Sequence, residues 1–288
     1  MLKIAHISDI HFINITLNPK QFFSKRWVGN ANALLSRRKH FEPTLLLEFE
    51  ETIKNLDIDY LIITGDFSST SQYSEFEKCL AFFQKIKQSN IKLLSIPGNH
   101  DQYTKKAFLE KRFYKFFENE NSQEFDFELK KHGIEAKKID EKWWYIGLDT
   151  AVATTLLSSR GLFSLELENN LKKLLTLIPK DESIILVNHY PFFDSLNIRR
   201  TLKRKDALVN VLKENKNIKL YLHGHTHKNK ITDLRKENLP IIMDAGSITY
   251  KKSGSWNYLT IDNNQITVNK YSWIKNKWIA EKDYLFKL

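Results

Sequence analysis

The sequence predicts an α/β fold, one domain of two packed sheets flanked by helices. Two observations predict it. Short apolar runs ending in polar turns alternate with segments whose apolar residues recur at helical spacing, and after residue 228 the helical pattern stops and only strand-like runs follow. Composition agrees: 42% hydrophobic residues in 288 supply a sizeable core, which excludes global disorder. Six prolines and nine glycines exclude a collagen-like or low-complexity chain, and a single cysteine, Cys79, excludes a disulfide scaffold and permits a reducing compartment.

In chain order, the first strand is Leu2–Ser8, followed by Asp59–Thr64 and Ile91–Ile96. Between these lie helices at about 43–56, with Leu45, Leu46, Phe49 and Ile53 on one face, and 72–88, with Phe76, Leu80, Phe83 and Ile86 on one face. Strands at 143–148, 183–187 and 218–223 and helices at about 164–176 and 200–215 continue the alternation. Short strands follow near 228–233, 240–244, 256–261, 265–271 and 278–286, with Asn263-Asn264 as a hairpin turn. Residues 12–42 are too long for a structureless connection and mix Phe22, Phe23, Trp27, Val28, Leu34 and Leu35 with basic residues. They read as an inserted amphipathic helical element within a single domain spanning 1–288.

Five of the strands end in metal-ligand residues. The turns are Asp9-Ile10-His11, Gly65-Asp66, Gly98-Asn99-His100-Asp101, Asn188-His189-Tyr190-Pro191 and Gly224-His225-Thr226-His227, and they hold five of the nine histidines. Loops converge at the carboxyl ends of strands in α/β sheets, so these residues are expected together. One such motif alone is more often a cap or a buried hydrogen-bond pair, but core packing does not place five of them at strand ends. Carboxylate, imidazole and amide oxygen together suit Mn²⁺, Fe²⁺, Zn²⁺ or Co²⁺, and do not match an all-oxygen Mg²⁺ or Ca²⁺ cage. Seven candidate ligands exceed what one ion takes. Two ions roughly 3.5–4 Å apart, sharing a bridging ligand, can clamp both oxygens of an in-line phosphoryl displacement.

In these blocks the sequence resembles the calcineurin-like metallophosphoesterase superfamily, all five of whose motifs occur between residues 9 and 227. In its compact length it is similar to the bacterial branch near the class III cyclic-nucleotide phosphodiesterases. The resemblance implies a four-layer αββα double β-sandwich with a helical insertion after the first strand. It also implies a phosphoesterase that hydrolyses phosphate mono- or diesters with two divalent ions (Mn²⁺, Fe²⁺/Fe³⁺ or Zn²⁺). Asp9, His11 and His227 would hold the first ion, Asn99, His189 and His225 the second, and Asp66 would bridge them. A water between the ions would attack phosphorus, and His100 would protonate the leaving oxygen or donate a hydrogen bond to the phosphate. Protein phosphatases of the superfamily follow the bridging aspartate with further Asp and Arg residues; here Phe67-Ser68-Ser69 follow. That weakens a protein-phosphatase assignment and leaves Asp101 as the nearest acid to orient His100. Asn188 stands where many relatives place a histidine.

The other histidines read more plainly. His6 is expected in the core or behind the ligands, His223 behind them or simply buried, and His40 and His132 in solvent. Trp143, Trp144 and the C-terminal aromatics read as core.

The formal charge of +11 is localised. Residues 12–41 carry Lys20, Lys25, Arg26, Arg37, Arg38 and Lys39 with no acid, and residues 199–205 carry Arg199, Arg200, Lys203, Arg204 and Lys205 with no acid, which accounts for the whole excess. These segments read as solvated helical faces, as a lid or lipid-contacting surface, or, with less support, as a nucleic-acid contact. Lys25, Arg26, Trp27, Arg37 and Arg38 are the candidates for the lid. Its place after the first ligand pair resembles helical lids in pyrophosphatases that cleave a UDP-linked diacyl sugar, so a lipid-linked pyrophosphate hydrolase at the membrane surface is an alternative. A nuclease and a non-catalytic metal-binding scaffold are two more. An anionic phosphoester is the expected partner. The chain has no apolar run approaching about 18 residues and no signal-peptide pattern, so a cytoplasmic location is expected, peripheral at the inner membrane if the lid contacts lipid.

Overall fold

The computed structural model describes residues 1–14, 27, 42, 44–119, 125–155, 158–193, 198–262 and 264–288. β1 (Leu2–Ile7) is an apolar run with Ile4, Ala5 and Ile7 fully buried, and it pairs on both sides. On one side lie β2 (Tyr60–Ile63) and then β3 (Lys92–Ser95), both parallel. On the other lies β12 (Ser255–Ile261), antiparallel, continuing as a meander through β13 (Gln265–Ile274) and β14 (Lys277–Lys287). The first sheet therefore runs β14-β13-β12-β1-β2-β3.

The second sheet runs β10-β11-β9-β7-β5-β4. Its strands are β4 (Ile134–Asp140), β5 (Trp143–Leu148), β7 (Ser183–Val187), β9 (Ile218–His223), β10 (Lys230–Asp233) and β11 (Ile241–Asp244). β5, β7, β9 and β11 are parallel, while β4 and β10 are antiparallel edges. β6 (Gly161–Leu162) and β8 (Leu202–Lys203) form a separate parallel pair.

The strand period of two sorts the second sheet's residues between two cores. Trp143, Tyr145, Ile185, Val187, Leu220, Leu222, Ile241 and Met243 pack with the first sheet. Trp144, Ile146, Ile184, Leu186, Tyr221 and Ile242 pack with α5 (Leu165–Leu177) and α6 (Lys205–Glu214). Over the first sheet lie α1 (Leu45–Lys54), burying Leu45, Leu46, Phe49 and Ile53, and α2 (Tyr73–Lys87), burying Phe76, Cys79, Phe83 and Ile86. The order is helix, sheet, sheet, helix. Short helices α3 (Lys105–Leu109) and α4 (Leu129–His132) lie between β3 and β4 in the chain.

Most expected elements are present within a few residues. The 200–215 helix is shorter, starting at Lys205, because Arg204 has φ 58° and Leu202–Lys203 pair with β6. β4 was not expected. Its sequence, IEAKKID, carries four charged residues, and pairing with β5 overrides that. His132, expected in solvent, is half-buried, and its Nδ1 accepts from Glu128 N at 2.9 Å at the start of α4. Within the element expected at 12–42, Lys25, Arg26, Arg37 and Arg38 lie outside the described residues, as do His40 and Asn263. Trp27 is described and exposed. Among the described residues no helix is long and apolar enough to cross a membrane.

Candidate metal centre

The loops after β1, β2, β3, β7 and β9 bring the seven candidate ligands together from both sheets. Asp9, His11, Asp66, His225 and His227 all have positive φ, between 52° and 70°. The left-handed region costs a non-glycine residue about 1 kcal/mol or more, so five such residues in three neighbouring turns mark a site whose geometry is held by its surroundings. Those surroundings are specific. Phe67, next to Asp66, is fully buried against Phe113 and Phe117, at ring distances of 5.3 and 4.5 Å. Its burial contributes roughly 2–3 kcal/mol and anchors the Asp66 turn from behind. Gly98 lies so close that a Cβ would stand 2.3 Å from Asp66 Oδ1, and at Gly224 a Cβ would stand 1.8 Å from Ser8 Oγ.

Two groups of side chains form. In the first, His227 Nε2 lies 3.0 Å from Asp9 Oδ1 and 3.1 Å from His11 Nε2, and His11 Nε2 lies 3.5 Å from Asp9 Oδ1. In the second, His189 Nε2 lies 3.2 Å from Asn99 Oδ1 and 3.2 Å from His225 Nδ1. Asp66 faces both: Oδ2 is 3.8 Å from His11 Nε2 and 3.5 Å from His189 Nε2. Its Oδ1 accepts from His100 N at 2.7 Å.

The donor set fits a bound cation. His189 Nδ1 faces the Thr64 carbonyl at 2.7 Å, and His225 Nε2 faces the Arg200 carbonyl at 2.9 Å. A carbonyl only accepts, so each of those nitrogens carries the ring hydrogen. The other nitrogens turn lone pairs toward Asn99 Oδ1 and Asp66 Oδ2, four acceptors facing one another. A positive charge among them removes the conflict. In the first group, Asp9 Oδ2 accepts from Ser8 Oγ at 2.7 Å and His225 N at 2.9 Å, which leaves buried Asp9 Oδ1 to face the two imidazoles.

The electrostatics carry the same demand. Burial opposes ionisation of Asp66, but His189 and His100 beside it hold its carboxyl well below the usual range. Burial likewise opposes ionisation of Asp9, and His227 and His11 outweigh it. Burial lowers the His189 pKa, but the Asp66 carboxylate more than reverses this and pushes it up to about 9. Burial, then repulsion from His189, pulls His225 down to about 3. A proton on His189 is one way to supply the missing positive charge, and a metal ion, which reaches all the acceptors, is the other.

His100 sits at the junction. A ring nitrogen lies within 4.8 Å of ligand atoms of His11 and Asp66, and the ring stacks on Tyr103. Its Nδ1 donates to the Ser69 carbonyl at 2.7 Å. This corrects the expected partner, since Asp101 does not orient His100. The Asp101 carboxylate is turned away, accepting from the backbone N–H groups of Phe67, Ser68 and Gly98 at 3.2, 2.9 and 3.0 Å. Burial and then the nearby Asp66 charge push its pKa up to about 7. His223 is buried, 3.5 Å from Asp244 Oδ2, and His6 is buried against Thr64 and Asn257. Asp244 was missed. It accepts from Thr226 Oγ1 at 2.5 Å and Gly246 N at 2.8 Å, and so holds the turn between His225 and His227. Like the ligands it is an acid ending a strand, which is the signal that would have found it.

Residues 2–229 match the calcineurin-like phosphoesterase family. The chain belongs to that family. A protein of Vesicomyosocius okutanii subsp. Calyptogena okutanii (strain HA), described as a probable cyclic nucleotide phosphodiesterase, is 30% identical over 236 residues, which is 77% of this chain and 85% of that protein. The fold is similar to that of a dimetal phosphatase from Danio rerio, with TM-score 0.68 at 14% identity over 99% of this chain and 98% of that one. It is also similar to a purple acid phosphatase from yellow lupin, with TM-score 0.65 at 10% identity over 99% of this chain and 53% of that one. At such identities these two show the fold alone. As a member of the family, the chain is a metal-dependent phosphoesterase, a hydrolase acting on phosphoester bonds.

Proposed function

We propose that this enzyme hydrolyses phosphodiesters at a dinuclear metal centre. Asp9, His11 and His227 hold one ion, Asn99, His189 and His225 the other, and Asp66 both. The observation that carries this is the single Asp66 oxygen facing His11 of one group and His189 of the other. The mixed carboxylate, imidazole and amide donors suit Mn²⁺, Fe²⁺/Fe³⁺ or Zn²⁺. When bound, two such ions acidify a water and offset charge on the phosphoryl oxygens. The protein's own part is positional. Ser8 Oγ and His225 N fix one oxygen of Asp9, so the other faces the first group. The carbonyls of Thr64 and Arg200 fix which nitrogen of His189 and His225 is offered. With Nδ1–H of His100 donating to the Ser69 carbonyl, the imidazolium form, which carries a second hydrogen on Nε2, would give that proton to the departing oxygen and become the neutral ring.

A diester is favoured over a monoester by the 30% identical relative described as a probable cyclic nucleotide phosphodiesterase. We also take the chain as one domain, a reading supported by the pairing of β1 with β12 from the far end of the sequence. The test is turnover of bis(p-nitrophenyl) phosphate by Mn²⁺-loaded protein, with metal counted per chain. Wild type is expected to bind two ions and turn over, and Asp66→Asn to lose turnover and lower occupancy at both positions. Wild-type turnover in that variant, or saturation of the wild type at one ion, would overturn the proposal.

A further inference from the structure

The basic run at 199–205 does not act as one surface. Arg204 is committed, donating to Glu168 Oε2 at 2.6 Å and to the Phe163 carbonyl at 3.1 Å. Arg200 gives its carbonyl to His225. Arg199 and Lys203 line a cavity of about 530 Å³ together with Arg160. That volume is within the range of small-molecule sites, roughly 300–1,000 Å³. Among the described lining residues there are three cations, the hydroxyls of Thr154, Thr155 and Ser158, and no carboxylate.

The cations sit on a built frame. β6 and β8 pair Gly161 with Leu202 and Leu162 with Lys203, and Ser159 N donates to the Arg199 carbonyl at 2.9 Å. The cavity's two walls are the loops leaving the carboxyl ends of β5 and β7, two parallel strands of the second sheet. It therefore lies at the end of the sandwich where the ligand turns gather. It is also joined to them by contact. A Cβ on Gly161 would stand 2.4 Å from the Tyr190 ring, and that ring packs 4.6 Å from His225. Arg199 precedes the residue whose carbonyl fixes the His225 ring.

We propose that this cavity binds a phosphate group other than the one hydrolysed, with Arg160, Arg199 and Lys203 as its cationic contacts. The phosphate is carried either by the substrate itself, making the substrate a diester with a second phosphate, or by a separate small molecule. The substrate role rests on the phosphodiesterase reading above; the binding does not.

The probes are the p-nitrophenyl diester of thymidylate and the same diester phosphorylated on its free sugar hydroxyl. The wild type is expected to show a KM about tenfold lower for the phosphorylated diester. The double variant Arg199→Ala/Lys203→Ala is expected to lose that preference, and Arg199→Lys/Lys203→Arg to keep it. No preference in the wild type, or an equal loss on both diesters, overturns the substrate role. Thymidine bisphosphate added to turnover of the unphosphorylated diester separates the sources. Competition that weakens in the double alanine variant identifies the substrate's own phosphate, and a change in kcat alone that the variant abolishes identifies a separate ligand.

Calorimetric binding of thymidine bisphosphate keeps the two readings apart. If neither diester is turned over, the phosphodiesterase reading fails, and binding weakened about tenfold in the double alanine variant still supports the cavity. Equal binding by wild type and variant overturns it. Lys203→Glu, at an exposed side chain, replaces the double variant if that one does not fold.

Discussion

Glu135 shows what a single buried acid does to this protein. It lies on β4, buried, with the Asn119 amide donating to its carboxyl, and burial pushes its pKa up to about 7. The folded protein therefore holds a proton there that the unfolded chain releases near pH 4.5. Between those values the native state binds more protons, so stability falls as pH rises from about 4.5 to 7. Glu135→Gln is expected to flatten that slope and to raise stability at pH 8 by about 1–3 kcal/mol. Thermal melts of both proteins across that range check it; parallel pH profiles would refute it. His100 is a second residue-scale case. His100→Ala is expected to slow turnover by ~10²–10⁴ with both ions still bound. Loss of metal in that variant would show His100 to be a ligand.

At the scale of elements, the turns after β1, β2 and β9 take positive φ and aim side chains inward. Gly224 shows how little room these turns leave, since an added Cβ would stand 2.5 Å from Asp9 Oδ2 as well as against Ser8. Gly224→Ala is expected to cost about 1–3 kcal/mol and to lower metal occupancy of the first group, read by melting and metal analysis. A wild-type melt and metal content in that variant would contradict the tight packing described. The strands at 143–148, 183–187 and 218–223 were legible to the residue, because largely apolar runs there are bracketed by polar turns. β4 was not, because its charges hide a strand that only its partner specifies. The side chains that gather at the site were legible as polar residues at strand ends. The carbonyls of Thr64, Ser69 and Arg200 were not, because any residue supplies a carbonyl and only the fold says which one faces an imidazole.

At the scale of the molecule, the centre draws side chains from both sheets, so an ion bound there ties one sheet to the other. Ions at about 100-fold over Kd add ~2.7 kcal/mol to folding stability. Chelation of metal-loaded protein is therefore expected to lower Tm by several degrees. The shift should be larger at pH 8 than at pH 6, because an ion must displace the proton that His189 holds up to about 9. A Tm that ignores chelation at both pH values would argue against ions that bridge the sheets. The pairing of β1 with β12 has a further consequence, for synthesis on the ribosome. β1 is delivered long before β12, with Ala5 opposite Tyr258. Until then β1 has β2 alone to pair with, and one edge of an apolar strand stays open. The sheet that carries Asp9, Asp66 and Asn99 is thus completed only after β12 has emerged. Slow, late closure of that edge, and pairing with a neighbouring chain in its place, is the failure that nascent chains of this protein must avoid.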